Sequence, residues 1–229
     1  MLRITKNSSE IPRAKPKKRV FLLSPANAGG TRAQLLLREE AGFPLARQLR
    51  ASGLSLGEAF SFISGLYFRG KLAYARAFAD PPPGAPGALV ITAGGGLIPP
   101  ETVVAREDLC RISSVPVDPD EPRYRIPLER DAQILASLLK GPYEVVLLGS
   151  VATTKYVEPL LGVFGERLVF PAEFAGRGDM SRGGLMLRCV RAGLQLTYVP
   201  VISGARHGAK PPRLPKLAKE PRVARVVVR

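Results

Sequence analysis

Four short apolar runs punctuate this chain, and each is separated from the next by a stretch with helical spacing. They occupy residues 19–24 (RVFLLS), 88–93 (ALVITA), 144–150 (EVVLLGS) and 167–170 (RLVF). Runs of this length, rich in Val, Ile, Leu and Phe and bounded by Gly, Pro or Ser, predict buried strands. Residues 195–201 predict a fifth strand. Helical spacing follows at 31–37, 45–51, 55–62, 65–78, 127–139, 155–164 and 185–192, with Thr31 and Ser55 placed to cap two of these segments. Strands separated by helices build βαβ units. The expected fold is therefore α/β: a three-layer sandwich with a mostly parallel sheet of about five strands and helices on both faces. Pro127 is expected in the first turn of a helix whose apolar stripe is Leu128, Ile134, Leu135, Leu138 and Leu139. Residues 103–126 read as irregular.

Parallel connectivity places the loops after the first four strands on one edge of the sheet, where ligands of open α/β sheets bind. Those loops share a composition. The first holds Asn27, Gly29, Gly30 and Arg32; the second is Gly94-Gly95-Gly96; the third holds Ser150, Thr153, Thr154 and Lys155. The fourth, residues 170–184, runs from strand into a Gly/Arg/Asp loop with Arg177, Gly178, Asp179, Ser181 and Arg182 before an apolar helix near Leu185. Asp179 or Ser181 is expected to cap that helix. Glycines admit close backbone approach, helix N-termini favour anions, and arginine forks match phosphate oxygens. Asn27, Gly29, Gly30, Arg32, Gly95, Ser150, Thr153, Thr154, Lys155, Arg177, Gly178, Ser181 and Arg182 are accordingly the expected phosphate-binding set. Neither the phosphate-loop nor the dinucleotide glycine fingerprint is present.

Charge points to the partner. The net charge is +15, of which residues 1–19 carry +6 and residues 204–229 carry +7. A nearly neutral body between two basic arms suits a polyanion, DNA or RNA. The expected organisation is a basic arm at 1–18, one α/β domain at 19–203 and a basic, Pro-rich arm at 204–229, both arms disordered or extended. No apolar run reaches the ~18 residues of a membrane span, and no secretory signal is visible, so the expected location is cytoplasmic. Cys110 and Cys189 fit no metal spacing and are read as buried thiols, with a disulfide as the other possibility. No metal and no cofactor is expected, and nothing in the residues defines an oligomeric state.

For acid–base chemistry the candidates are Asp179 and Glu173, each with a structural alternative, a helix cap and a salt bridge respectively. His207 is the one histidine in the sequence and lies near the end, which argues against a His-based triad. Ser150 and Ser181 lack an obvious base. Tyr67, Phe68 and Phe174 are candidates for stacking on a nucleobase, although aromatics at helical spacing usually belong to a core.

Two stretches carry a resemblance. Leu66-Tyr67-Phe68-Arg69 with Ala73-Tyr74-Ala75, then Ile91-Thr92-Ala93 and Gly96-Leu97-Ile98-Pro99-Pro100-Glu101, resemble a bacterial family with a Leu-Tyr…Phe-Arg helix before an Ala…Gly-Leu…Pro loop. The wider layout, over residues 20–202, resembles the uracil-DNA-glycosylase-like superfamily, whose shape also accompanies archaeal relatives of tRNA-guanine transglycosylase. That resemblance implies a base- or nucleotide-handling crevice at the strand ends, with Asn27 where glycosylases keep a water-positioning or base-reading residue. The late His-containing loop and the acidic residue of the first loop are both missing here. The leading expectation is thus a nucleic-acid-associated protein. The alternatives are a base- or nucleoside-acting hydrolase or transferase, and a ribonucleoprotein assembly factor.

Overall fold

A computed structural model describes residues 17–215. Its centre is β1 (Lys18–Leu23), in which Val20, Phe21, Leu22 and Leu23 are all fully buried. Successive strand side chains point to opposite faces, so burial of four in a row means that both faces of β1 are covered. The same holds for β6 (Tyr143–Leu148) from Val145 onward.

The chain leaves β1 through α1 (Thr31–Leu37), α2 (Pro44–Ser52), the short β2 (Leu54–Ser55), α3 (Leu56–Ser64) and α4 (Leu66–Phe78). It returns in β3 (Ala88–Thr92), turns back as β4 (Gly96–Ile98), and passes through β5 (Val103–Val104), α5 (Arg106–Ser113) and α6 (Pro122–Leu138) to β6. Then follow α7 (Thr154–Phe164), β7 (Leu168–Pro171), α8 (Asp179–Ala192) and β8 (Tyr198–Pro200). The main sheet runs β4-β3-β1-β6-β7-β8, while β2 and β5 form a separate antiparallel pair. β3, β1, β6 and β7 are parallel; β4 and β8 pair antiparallel at the two edges. Leu23 lies opposite both Val90 and Leu148, so β1 ends level with β6, while β3 runs on to Thr92.

From β1 the chain moves to one side, to β3; from β6 it moves to the other, to β7. The gap between the carboxyl ends of β1 and β6 is therefore a topological switch point. The helices pack in two groups, α3, α4 and α8 in one and α6 and α7 in the other. α4 and α8 approach so closely that a Cβ on Gly70 would stand 2.7 Å from the Gly183 carbonyl oxygen. At the far end of α4, Tyr74 Oη accepts the Leu196 amide proton at 2.7 Å and lies 2.7 Å from Tyr198 Oη. α3 opens on a reciprocal cap, with the Ser55 hydroxyl accepting from Glu58 N and the Glu58 carboxylate accepting from Ser55 N.

Several local expectations are corrected. The sheet has six strands rather than about five, and the segment expected as a fifth strand forms β8, antiparallel to β7. The glycine-rich loop is a tight hairpin turn at residues 93–95, with Gly96 already paired in β4 opposite Thr92. Residues 103–126 contain β5 and α5. α6 begins at Pro122, not Pro127, with Glu121 accepting the Arg123 amide proton. Its buried stripe is Tyr124, Leu128, Ala132 and Leu135, leaving Ile134 and Leu138 exposed. Neither α1 nor α8 has a side-chain cap: Gly30 and Gly178 occupy the cap positions ahead of Thr31 and Asp179. α8 absorbs Asp179 to Gly184, because burial against α4 outweighs the poor helix propensity of Gly183 and Gly184. Lys17, Lys18 and Arg19 are not free basic groups; they pair with Glu144, Asp80 and Glu144. Most of the two basic arms, residues 1–16 and 216–229, lies outside the described residues. The described part of the second runs back over the body: Arg206 Nε donates to Val201 O, and Arg188 donates to Pro215 O.

Candidate functional site

A cavity of about 720 Å³ opens at the switch point. Ser24, Asn27 and Gly29 reach it from the loop after β1, and Ala93 from the end of β3. Ser150, Thr153, Lys155 and Tyr156 reach it from the loop after β6 and the start of α7. Asp179, the first residue of α8, and Tyr67, on α4, complete it together with Ile112 near the end of α5 and Val115 and Val117 in the α5–α6 connection. Segments distant in sequence thus share one mouth.

The floor is built from β1, β6 and α4. Ser24 N donates to Leu148 O at 3.1 Å, which holds Ser24 beside Gly149. A Cβ on Gly149 would stand 2.8 Å from Ser24 Cβ and 3.2 Å from the Tyr156 ring, so only glycine lets these two side chains meet. Tyr156 Oη accepts the Ser150 amide proton at 2.9 Å and lies beside the Ser24 hydroxyl. From the other side comes Lys71, fully buried on α4. Its Nζ donates to the Ser24 carbonyl oxygen at 2.6 Å and lies 2.9 Å from Ser24 Oγ. It also sits over the Tyr67 and Phe68 rings, at 4.5 and 4.9 Å from their centroids. Among the described residues no carboxylate forms an ion pair with it. Burial disfavours the ammonium form and pulls its pKa down to about 7; Asp179 opposes this and Arg182 adds to it.

Tyr67 is 6% exposed; the Arg182 guanidinium lies beside its hydroxyl oxygen, and the hydroxyl proton has no acceptor among the described residues. Burial pushes its pKa up, so it stays a protonated donor. A buried hydroxyl proton with no acceptor is uncommon in a folded protein. α7 supplies a second binding feature. Thr153 caps it by accepting from Lys155 N at 3.2 Å, and Lys155 adds a positive charge beside a helix N-terminus.

The expected phosphate-binding set divides. Asn27, Gly29, Ser150, Thr153 and Lys155 line the cavity; Thr154 and Gly178 stand at helix starts beside it without lining it. The arginines do not converge. Arg32 stacks 5.0 Å over the Phe62 ring. Arg182 is buried, donates through Nε and Nη2 to Phe174 O, and reaches Asp179 at 3.5 Å. Arg177 donates to Glu173 O and to Ser181 Oγ, which spends Ser181 as well. Gly30 packs on Asn27, and Gly95 packs inside the β3–β4 turn against Thr92 and Ile98. Of the acid–base candidates, Asp179 faces the cavity; Glu173 accepts the Thr197 amide proton and holds β8. Of the stacking candidates, Tyr67 lines the cavity, whereas Phe68 and Phe174 are fully buried core. Lys155 and Asp179 are thus the charged residues of the lining, and the mouth is polar rather than strongly cationic.

Ser24, Lys71 and Tyr156 were not singled out by their residue pattern. Lys71 carried a signal: it falls on the apolar stripe of α4, one turn from Tyr67 and Phe68 and one turn from Tyr74 and Ala75. A lysine on a buried face is rare unless it is used.

Cys110 and Cys189 are unpaired and half-buried, not the buried thiols expected. No group of three His, Cys, Asp or Glu side chains among the described residues is arranged to hold a metal ion, and no described helix is long and apolar enough to cross a membrane. No protein-family profile, curated protein or solved structure matches this chain.

Proposed function

We propose that the crevice binds a nucleotide unit and that the chain is nucleic-acid-associated, its basic ends lying on the neighbouring backbone. The observation that carries this reading is the convergence of the β1 and β6 loops, the starts of α7 and α8, and Tyr67 on one cavity at the switch point. Its volume, about 720 Å³, lies within the ~300–1,000 Å³ typical of ligand pockets. The phosphate belongs at Thr153 and Lys155, where helix dipole and side-chain charge act together. The base belongs against Ile112, Val115 and Val117, with Asn27, Ser150 and the Tyr67 hydroxyl available to its edge. The net charge of +15, concentrated toward the chain ends, supports a polymeric partner.

The test is titration of the full chain with nucleoside 5′-monophosphates and with DNA and RNA oligonucleotides across a salt series. Monophosphate binding weakened at least tenfold by Lys155→Ala, with oligonucleotide affinity falling steeply as salt rises, is expected. Absent or salt-insensitive binding contradicts the reading. Because Asp179 faces the cavity, base-directed hydrolysis is the second reading. Uracil- and modified-base oligonucleotides assayed with the wild type and Asp179→Asn decide it: equal activity in both removes Asp179 from any mechanism.

A further inference from the structure

We propose that Ser24 is a nucleophile and Lys71 its general base, and that the pair hydrolyses a carboxylic ester seated in the crevice. Ser24 lines the cavity, and the Lys71 nitrogen lies 2.9 Å from its hydroxyl oxygen, within the reach a base needs. Full burial favours the free amine, and no carboxylate pairs with Lys71 among the described residues; the Tyr67 and Phe68 ring faces and the Ser24 carbonyl pull the other way, toward the ammonium. The nearest anionic influence is Asp179 on α8, whose carboxylate is engaged by Arg182 of the same helix. The bond to the Ser24 carbonyl at 2.6 Å fixes the amine beside the hydroxyl. A lysine retained only to brace a loop would not need a cavity-facing serine in its second contact.

The bonds balance with water alone. The Ser24 hydroxyl proton passes to Lys71 Nζ as Oγ bonds to the acyl carbon. The ester C–O bond breaks, and the departing alkoxide takes the proton from Lys71 to leave as an alcohol. Water then attacks the acyl-serine and gives a proton to Lys71. The carboxylic acid departs, and the proton returns to Ser24 Oγ. Tyr67 on the same wall stays protonated, with Arg182 beside its oxygen and no acceptor for its proton among the described residues; it is the donor we assign to the oxygen that becomes negative in each step.

This goes beyond nucleotide binding and does not require it, so the test uses no nucleotide. Full-length protein is treated with a fluorophosphonate probe, and the adduct is located by peptide mass mapping; p-nitrophenyl acetate turnover is followed in parallel. A single adduct on Ser24 is expected, absent in Ser24→Ala. The groups facing Lys71 are Ser24 from the loop after β1, Tyr67 from α4, and Asp179 and Arg182 from α8. With that surround, the labelling rate should rise about tenfold per pH unit below pH 7 and level off above it, as the amine form fills. Lys71→Met should slow labelling at least a hundredfold. No Ser24 adduct at pH 8.5, a rate flat from pH 5.5 to 8.5, or full labelling in a folded Lys71→Met overturns the proposal. If Lys71→Met does not fold, the wild-type pH profile decides.

Discussion

Lys71→Met should change how stability depends on pH, and the size of the change follows from where Lys71 sits. In the folded chain its ammonium loses its proton near pH 7, because burial removes water and no carboxylate replaces it. In the unfolded chain it titrates near ~10.4. Between those values the unfolded state holds a proton that the folded state lacks, so stability rises with pH across that window and this contribution is level below it. One proton is worth about 1.4 kcal/mol per pH unit. From pH 7.5 to 9.0 Lys71 should therefore add about 2 kcal/mol, or roughly 4–8 °C in Tm for a chain of this size. The window stops at pH 9 for a reason. Burial raises the Cys189, Tyr74 and Tyr156 pKa values, and these groups lower stability as the unfolded state begins to lose their protons. Urea melts of wild type and Lys71→Met at pH 7.5 and 9.0 give the difference directly, since all other groups are common to both proteins. The wild type should gain about 2 kcal/mol more than the variant over this interval. Parallel behaviour, with the two gains within about 0.5 kcal/mol, refutes the reasoning, because it requires Lys71 to remain an ordinary ammonium.

Two further substitutions separate packing from function. Tyr67→Phe removes a buried hydroxyl whose proton has no acceptor among the described residues, so stability should hold or rise by about 1 kcal/mol while nucleoside monophosphate affinity falls several-fold; thermal melts and calorimetric titration of one sample measure both. A variant that loses stability and keeps affinity assigns the hydroxyl to structure instead. Gly70→Ala places a Cβ 2.7 Å from the Gly183 carbonyl oxygen, backbone against backbone, where nothing can swing aside. It should cost about 1–3 kcal/mol despite alanine's better helix propensity, visible as a lower urea midpoint, and an unchanged midpoint would show that α4 and α8 are not so closely crossed.

The sheet was legible because a buried parallel strand needs a continuous apolar run, and residues 19–24, 88–93 and 144–150 provide one each. Its edges were not. β4 is three residues long, and the turn before it looks like any glycine-rich loop until the pairing of Thr92 with Gly96 shows a hairpin. The start of α6 is not legible, because Pro122 and Pro127 offer equivalent openings and only the burial of Tyr124 selects the first. The mouth was legible as an address. Parallel connectivity brings Asn27, Ser150, Lys155 and Asp179 to one edge whatever their side chains do afterwards. What each side chain touches was not legible. Arg177 and Arg182 resemble a phosphate clamp in the sequence, yet the carbonyls of Glu173 and Phe174 lie within a few residues and claim them first. Phe174 disappears beneath Arg182 for the same local reason. Lys71 reaches Ser24 from 47 residues away, and only the packing of α4 against β1 brings the two together.

Hydrogen–deuterium exchange on the full-length chain, with and without a nucleoside monophosphate at saturating concentration, tests the shared crevice most directly. Slower exchange is expected together in three peptides: the one carrying Asn27 to Gly30, the one carrying Ser150 to Tyr156, and the one opening α8 at Asp179. The α2 and β5 region should not change. Protection confined to one of these peptides, or appearing on the β2–β5 side of the molecule, would mean that the loops meet in space without sharing a ligand.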